Sequence, residues 1–108
     1  MKAEKIISAL PSRLEWRANA LLILIALCSG EKARYYDGWS RDFRTLRKAT
    51  GIGQTIVILD AMHVRYEDGN DAPRGGALGR YLKLTRRAPS VVPALQAELQ
   101  RVREIRGY

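Results

Sequence analysis

KATGIGQTIVILDAMH, residues 48–63, decides how this chain is read. Thr50, Gly51, Ile52 and Gly53 carry the signature of a tight turn, because two glycines permit the positive φ that other residues resist. A helix is expected to begin near Gln54 and to run to about His63 or Tyr66. Within it Val57, Ala61 and Val64 stand at core spacing, and Ile58, Leu59 and Met62 make the rest of the helix apolar as well. A helix that apolar needs a cover on more than one side, either extra packing or a protein partner.

Upstream, Ser40 is a good helix cap for RDFRTLRKA. Phe43, Leu46 and Ala49 recur at i, i+3 and i+6 on one side, and Arg41, Arg44, Arg47 and Lys48 occupy the rest. Before it, EKARYYDG suits a short strand or an extended linker. Downstream, VRYEDGNDAPRGGALGRYLKLT reads as a hairpin with a Gly-, Asn-, Asp- and Pro-rich loop. The even spacing of Leu78, Leu82 and Leu84, against Tyr81, Lys83 and Thr85, gives its second strand an inner and an outer face.

The outer parts of the chain are helical in pattern. MKAEKIISAL forms a short helix closed by Pro11, and Ser12 is placed to cap a second from Arg13 to about Ser29, stopped by Gly30. Apolar residues surround that second helix instead of striping it, so it belongs at the centre. APSVVPALQAELQRVREIRGY is a further helix, opened by Pro89 or Pro93 with Ser90 as its cap. Val92, Leu95, Leu99, Val102 and Arg106 follow a 3-4-3-4 spacing with Ile105 beside them, a seam for a second copy or for an intramolecular dock.

The 108 residues suit one domain, and 46% hydrophobic with 28% charged side chains describes a chain that folds around a core. Nineteen Lys and Arg against eleven Asp and Glu favour a polyanionic partner. Residues 39–88 hold ten basic and five acidic side chains, so the excess is mildly concentrated in the middle. The apolar run from Ala20 to Cys28 is far shorter than the ~20 residues of a spanning helix. The mixed charges ahead of it do not suit a secretory signal, so an intracellular, cytoplasmic protein is expected.

In order, these elements are helix, helix, short strand, helix, glycine turn, helix, hairpin and helix. With RDFRTLRKATGIGQTIVILDAMHV at the centre and GRYLKLT closing the hairpin, the chain resembles a winged helix-turn-helix domain over roughly residues 14–88. The nearest subgroup is the MarR-like regulators, where a hairpin strand ending in Leu-Thr, here Leu84 and Thr85, leads into a dimerisation helix. The resemblance implies a mostly helical α+β fold in a single domain: residues 1–11 an extension, 12–88 the winged-helix core, 89–108 a C-terminal helix for dimerisation. It also implies a sequence-specific double-stranded DNA-binding protein, a small transcriptional regulator acting as a homodimer, nucleoid-associated in the cell.

The helix after the turn must sit in a major groove about 12 Å wide, so small or hydrogen-bonding residues are wanted at its start. Gln54 suits an adenine and Thr55 a phosphate or a thymine methyl. Arg41, Arg44, Arg47 and Lys48 would contact phosphates, as would Arg74 and Arg80 in the wing and Arg86 and Arg87 at its base. The dimer contact would fall on Val92, Leu95, Leu99 and Val102. The resemblance turns Ile58, Leu59 and Met62 away from Val57, Ala61 and Val64 and leaves Asp60 nearer the core edge, so the competing reading is a protein-interaction module, an anti-activator, adaptor or phage-encoded inhibitor, docking through Ile58, Leu59 and Met62.

Nothing in the chain points to catalysis, a cofactor or a metal. His63 stands without a cysteine cluster, and Glu67, Asp68 and Asp71 read as solvated turn residues. GIGQT lacks the Lys-Ser/Thr ending of a phosphate-binding P-loop. Cys28, inside an apolar run, reads as a small buried hydrophobe.

Overall fold

The computed structural model describes residues 1–34, 52–75 and 79–106. Helix α1 (Ala3–Ala9) is followed by α2 (Leu14–Cys28), strand β1 (Ala33–Arg34), helix α3 (Ile52–Ala61), strands β2 (Tyr66–Asn70) and β3 (Arg80–Leu84), a 3-10 turn (Pro89–Val91) and α4 (Val92–Arg106). The helix expected over Ser40–Ala49, with Phe43, Leu46, Arg41, Arg44, Arg47 and Lys48, lies outside the described residues, as do Thr50, Gly51 and Leu78.

The three strands form one antiparallel sheet in the order β1-β3-β2. β2 and β3 pair as a hairpin from Tyr66↔Leu84 to Asn70↔Arg80, and β1 adds to the other edge of β3 through Ala33↔Leu82 and Arg34↔Tyr81. Leu82, Leu84 and Ala33 point into the core, while Lys83 and Thr85 are exposed, in keeping with the two-residue alternation of a strand.

Helix α2 is the centre, packed against α3, α4, β1 and β3. Ala18, Ala20, Leu21, Leu24, Leu27 and Cys28 are buried along it, so its apolar residues are covered on several sides. Burying each such leucine stabilises the fold by about 2 kcal/mol. Burial also pushes the Cys28 thiol up, which keeps it protonated among its apolar neighbours. Among the described residues no helix is long and apolar enough to cross a membrane.

The ends of α2 show what stops it. Gly30 has φ 94°, and its N–H donates to Leu27 O at 3.0 Å while Glu31 N–H donates to Ala26 O at 3.0 Å, the paired bonds of a Schellman cap. Ala88 N–H donates to Cys28 O at 3.0 Å, so the chain after the hairpin returns to close this end. At the other end Ser12 is not the cap: Arg13 holds the cap position without a side-chain bond. Nor does Ser90 cap α4, since it lies within the 3-10 turn that Pro89 opens.

Helix α3 ends in the same way as α2 but with a side chain where glycine is preferred. His63 has φ 55°; its N–H donates to Asp60 O at 3.1 Å and Val64 N–H donates to Leu59 O at 2.9 Å. Left-handed backbone costs a non-glycine residue about 1 kcal/mol. His63→Gly is therefore expected to raise stability by up to about 1 kcal/mol, read as a higher urea midpoint with an unchanged m-value. A lower midpoint would show that the imidazole makes a contact worth more than this strain.

Candidate nucleic-acid interface

Helix α3 is rotated relative to the sequence expectation. Ile58 and Leu59 are 2% and 1% exposed and belong to the core, whereas Val57 is 67% exposed and Ala61 is exposed as well. The buried stripe runs Ile52, Thr55, Ile58, Leu59, with Met62 partly buried against the same core. This is i, i+3, i+6, i+7, i+10, a helical stripe as regular as the one through Val57. Ile58 and Leu59 are therefore packing residues and not a protein-docking surface, and Met62 is partly buried against the same core, in a helix that packs on α2.

The two proposed reading residues change with this rotation. Helix α3 starts at Ile52, so Gly53 lies inside it and not in a preceding turn. Thr55 is fully buried, so its side chain cannot reach a phosphate or a thymine methyl. Gln54 is half-buried with its amide Oε1 out of solvent and without a hydrogen bond. A bidentate contact to adenine needs both ends of that amide free, which this orientation does not provide. The exposed side of α3 offers Val57, Asp60 and Ala61, and Asp60 Oδ1 already accepts a bond from the Tyr66 hydroxyl at 2.9 Å.

The seam on α4 is also used within the chain. Leu95, Leu99 and Val102 are buried in the core and Val92 packs partly against it, since α4 lies along α2 and α1. Leu95, Leu99 and Val102 are therefore taken up by the chain's own core, and Val92 in part, which leaves little of the seam for a second copy. Ile105, beside the seam, stays 57% exposed.

Apart from Lys83, exposed on β3, and Arg80, the cations of the sheet and its loops fall into three sets. At the hairpin tip Arg74 is exposed and has no ion pair to a described residue. The tip is shaped by Asn70, whose Oδ1 accepts from Ala72 N–H at 2.9 Å, and by Gly75 N–H donating to Ala72 O at 3.1 Å. At the base lie Arg86 and Arg87, with Arg65 paired to the chain beside them through Thr85 N–H to Arg65 O at 3.2 Å. Four residue steps of ladder separate tip from base by roughly 14 Å, so Arg74 and this basic group cannot hold the same phosphate. Arg87 lies over Gly30 at the C-terminal end of α2, where a cation is favoured by the helix dipole. Arg80 is committed to Asp68 on the neighbouring strand at 2.9 Å, which offsets its charge.

The third set was missed in the sequence. Lys32 and Arg34 converge on Asp71 on the outer face of the sheet: Arg34 makes a two-pronged pair at 2.8 and 2.7 Å, and Lys32 Nζ stands 3.2 Å away. Arg34, and then Lys32, hold the Asp71 carboxyl far below the usual carboxylate range. Lys32 also sits over the Tyr81 ring, 4.3 Å from its centroid. Tyr81 is consequently buried although it points to the outer face, and its hydroxyl donates to Glu67 Oε1 at 3.0 Å. It crosses Gly69, where a Cβ would come 2.7 Å from the ring carbon Cζ, so this ring position needs glycine. The signal available in the sequence was the alternation of KAR at 32–34, which puts Lys32 and Arg34 on one side of a strand.

Among the described residues no three His, Cys, Asp or Glu side chains gather as a metal site. No family model matches the chain, and neither the curated proteins nor the solved structures give a match.

Proposed function

We propose that the chain is a winged helix-turn-helix domain that binds double-stranded DNA, in the role of a small transcriptional regulator. The observation that carries this reading is the placement of Arg74, an exposed arginine without a described acidic partner, at the tip of a hairpin that directly follows α3 in a β1-β3-β2 sheet. A wing of this kind extends beside a helix and lays its tip on the phosphate backbone. The net charge of +8 supports the same partner.

The exposed side of α3 lacks guanidinium and free amide groups, so affinity is carried by phosphate contacts more than by base contacts. The rotation of α3 also removes the reason for a protein-docking reading, which rested on Ile58, Leu59 and Met62. Pairing of two half-sites across the seam of α4 loses its basis for the same kind of reason.

Binding to a random-sequence duplex is expected to weaken steeply between about 50 and about 200 mM salt, and Arg74→Ala is expected to reduce the slope of log K against log salt by about 1. Fluorescence anisotropy of a labelled duplex measures both. Absence of binding at the lower salt would contradict the proposal.

A further inference from the structure

We propose that the Lys32–Arg34 pair is a phosphate-binding site for DNA, occupied in the free protein by the carboxylate of Asp71. This rests on the DNA-binding reading above and extends it to residues that reading did not include. A two-pronged guanidinium contact backed by an ammonium group is the arrangement that grips a phosphodiester, and a carboxylate fits the same fork. Here two cations share one carboxylate, so the cluster keeps a net positive charge after Asp71 is bound.

The cluster is also reachable. The Arg34 side chain is 54% exposed, Lys32 38% and Asp71 34%, so an incoming phosphate meets the guanidinium and the ammonium without unfolding the sheet. Asp71 is the first residue after β2, its backbone held by Asp71 N–H to Gly79 O at 3.1 Å, so a turn about its side-chain bonds takes the carboxylate off the fork without moving the chain. The carboxylate then goes to water and a DNA phosphate takes its place. Exposed ion pairs of this kind are screened by water and salt, so the exchange costs the fold little. Asp71 acts in this way as an internal competitor that weakens DNA binding.

The test measures duplex binding for four proteins: the natural chain, Asp71→Asn, Arg34→Ala, and the double variant. Asp71→Asn is expected to bind about fivefold tighter at low salt, with a slope on log salt steeper by about 1 to 2. Arg34→Ala is expected to cost less than about twofold in the natural chain but about fivefold once Asp71 is asparagine, because in the natural chain displacing the carboxylate offsets most of what the phosphate contact gains. Asp71→Glu, which restores the charge, is expected to return binding toward the starting level. An Arg34→Ala cost equal in both backgrounds, with DNA binding intact, overturns this inference and leaves the proposed function standing. Absence of duplex binding in all four proteins overturns both. Asp71→Ser is the second opening variant; if it and Asp71→Asn both fail to fold, by circular dichroism, Asp71 is a structural clamp and the inference is wrong.

Discussion

Ile58→Asp is expected to unfold the chain, while Val57→Asp, one residue away on the same helix, is expected to leave it folded. Ile58 is 2% exposed and packs in the core with α2, so an aspartate there puts a carboxylate among apolar side chains with no cation on its face of the helix. The cost is more than about 4 kcal/mol, most of the stability of a small domain. Val57 is 67% exposed, and the change there is expected to stay within about 0.5 kcal/mol. Urea melts followed by circular dichroism separate the two. If Val57→Asp unfolds the chain and Ile58→Asp does not, α3 faces the other way and the reading residues must be assigned again.

The second large effect is expected at Arg17. This side chain joins three helices: Nε donates to Glu98 Oε1 on α4 at 3.2 Å, and the guanidinium donates to Ile7 O at 3.2 Å and Pro11 O at 3.3 Å at the end of α1. Ile7 O also accepts from Leu10 N–H at 3.3 Å, so Arg17 adds a second donor at the end of α1 and ties that end, with Pro11, to α2. The pair is largely dry, with Arg17 14% and Glu98 11% exposed. Arg17→Ala removes the cation and leaves a buried carboxylate held only by Arg101. A loss of about 3 kcal/mol is expected, or roughly 15 °C in melting temperature. Arg17→Lys is expected to recover only part of it, because one ammonium cannot reach Glu98 and the α1 carbonyls together.

Glu98 gives the same cluster a pH signature. Arg101, and then Arg17, hold its carboxyl below the ordinary value of 4.5. A folded-state value below the unfolded one means that the contribution is complete above 4.5 and is lost as pH falls through the folded value. Glu98→Gln is expected to flatten the acid limb of a stability-against-pH curve in that range. An unchanged acid limb would place the acid-sensitive group elsewhere.

The sequence was most legible where one residue type forces one outcome. Gly30 ended α2, Pro89 opened the turn before α4, and the alternation of Leu82 and Leu84 with Lys83 placed β3 with its inner face on the core. It misled where two patterns are equally regular. Ile56, Val57, Ile58 and Leu59 are four consecutive apolar residues, so the helix carries two possible stripes, and the buried Thr55 hides the one the fold uses. The seam of α4 was similarly two-sided: spacing shows that a helix must cover it, but not that the helix is α2 of the same chain. The Lys32–Arg34–Asp71 cluster brings together residues nearly forty positions apart, and only the pairing of β1 and β2 to the two edges of β3 brings them within reach.

On the proposed reading, DNA lies along the wing tip and the outer edge of the sheet. Titration of a short duplex into isotope-labelled protein, followed by amide and arginine side-chain NMR shifts, tests it residue by residue. The largest changes are expected at Arg74, Gly75, Lys32 and Arg34, with α1 and α4 unmoved. Shifts confined to α1 and α4, or none at low salt, would contradict it.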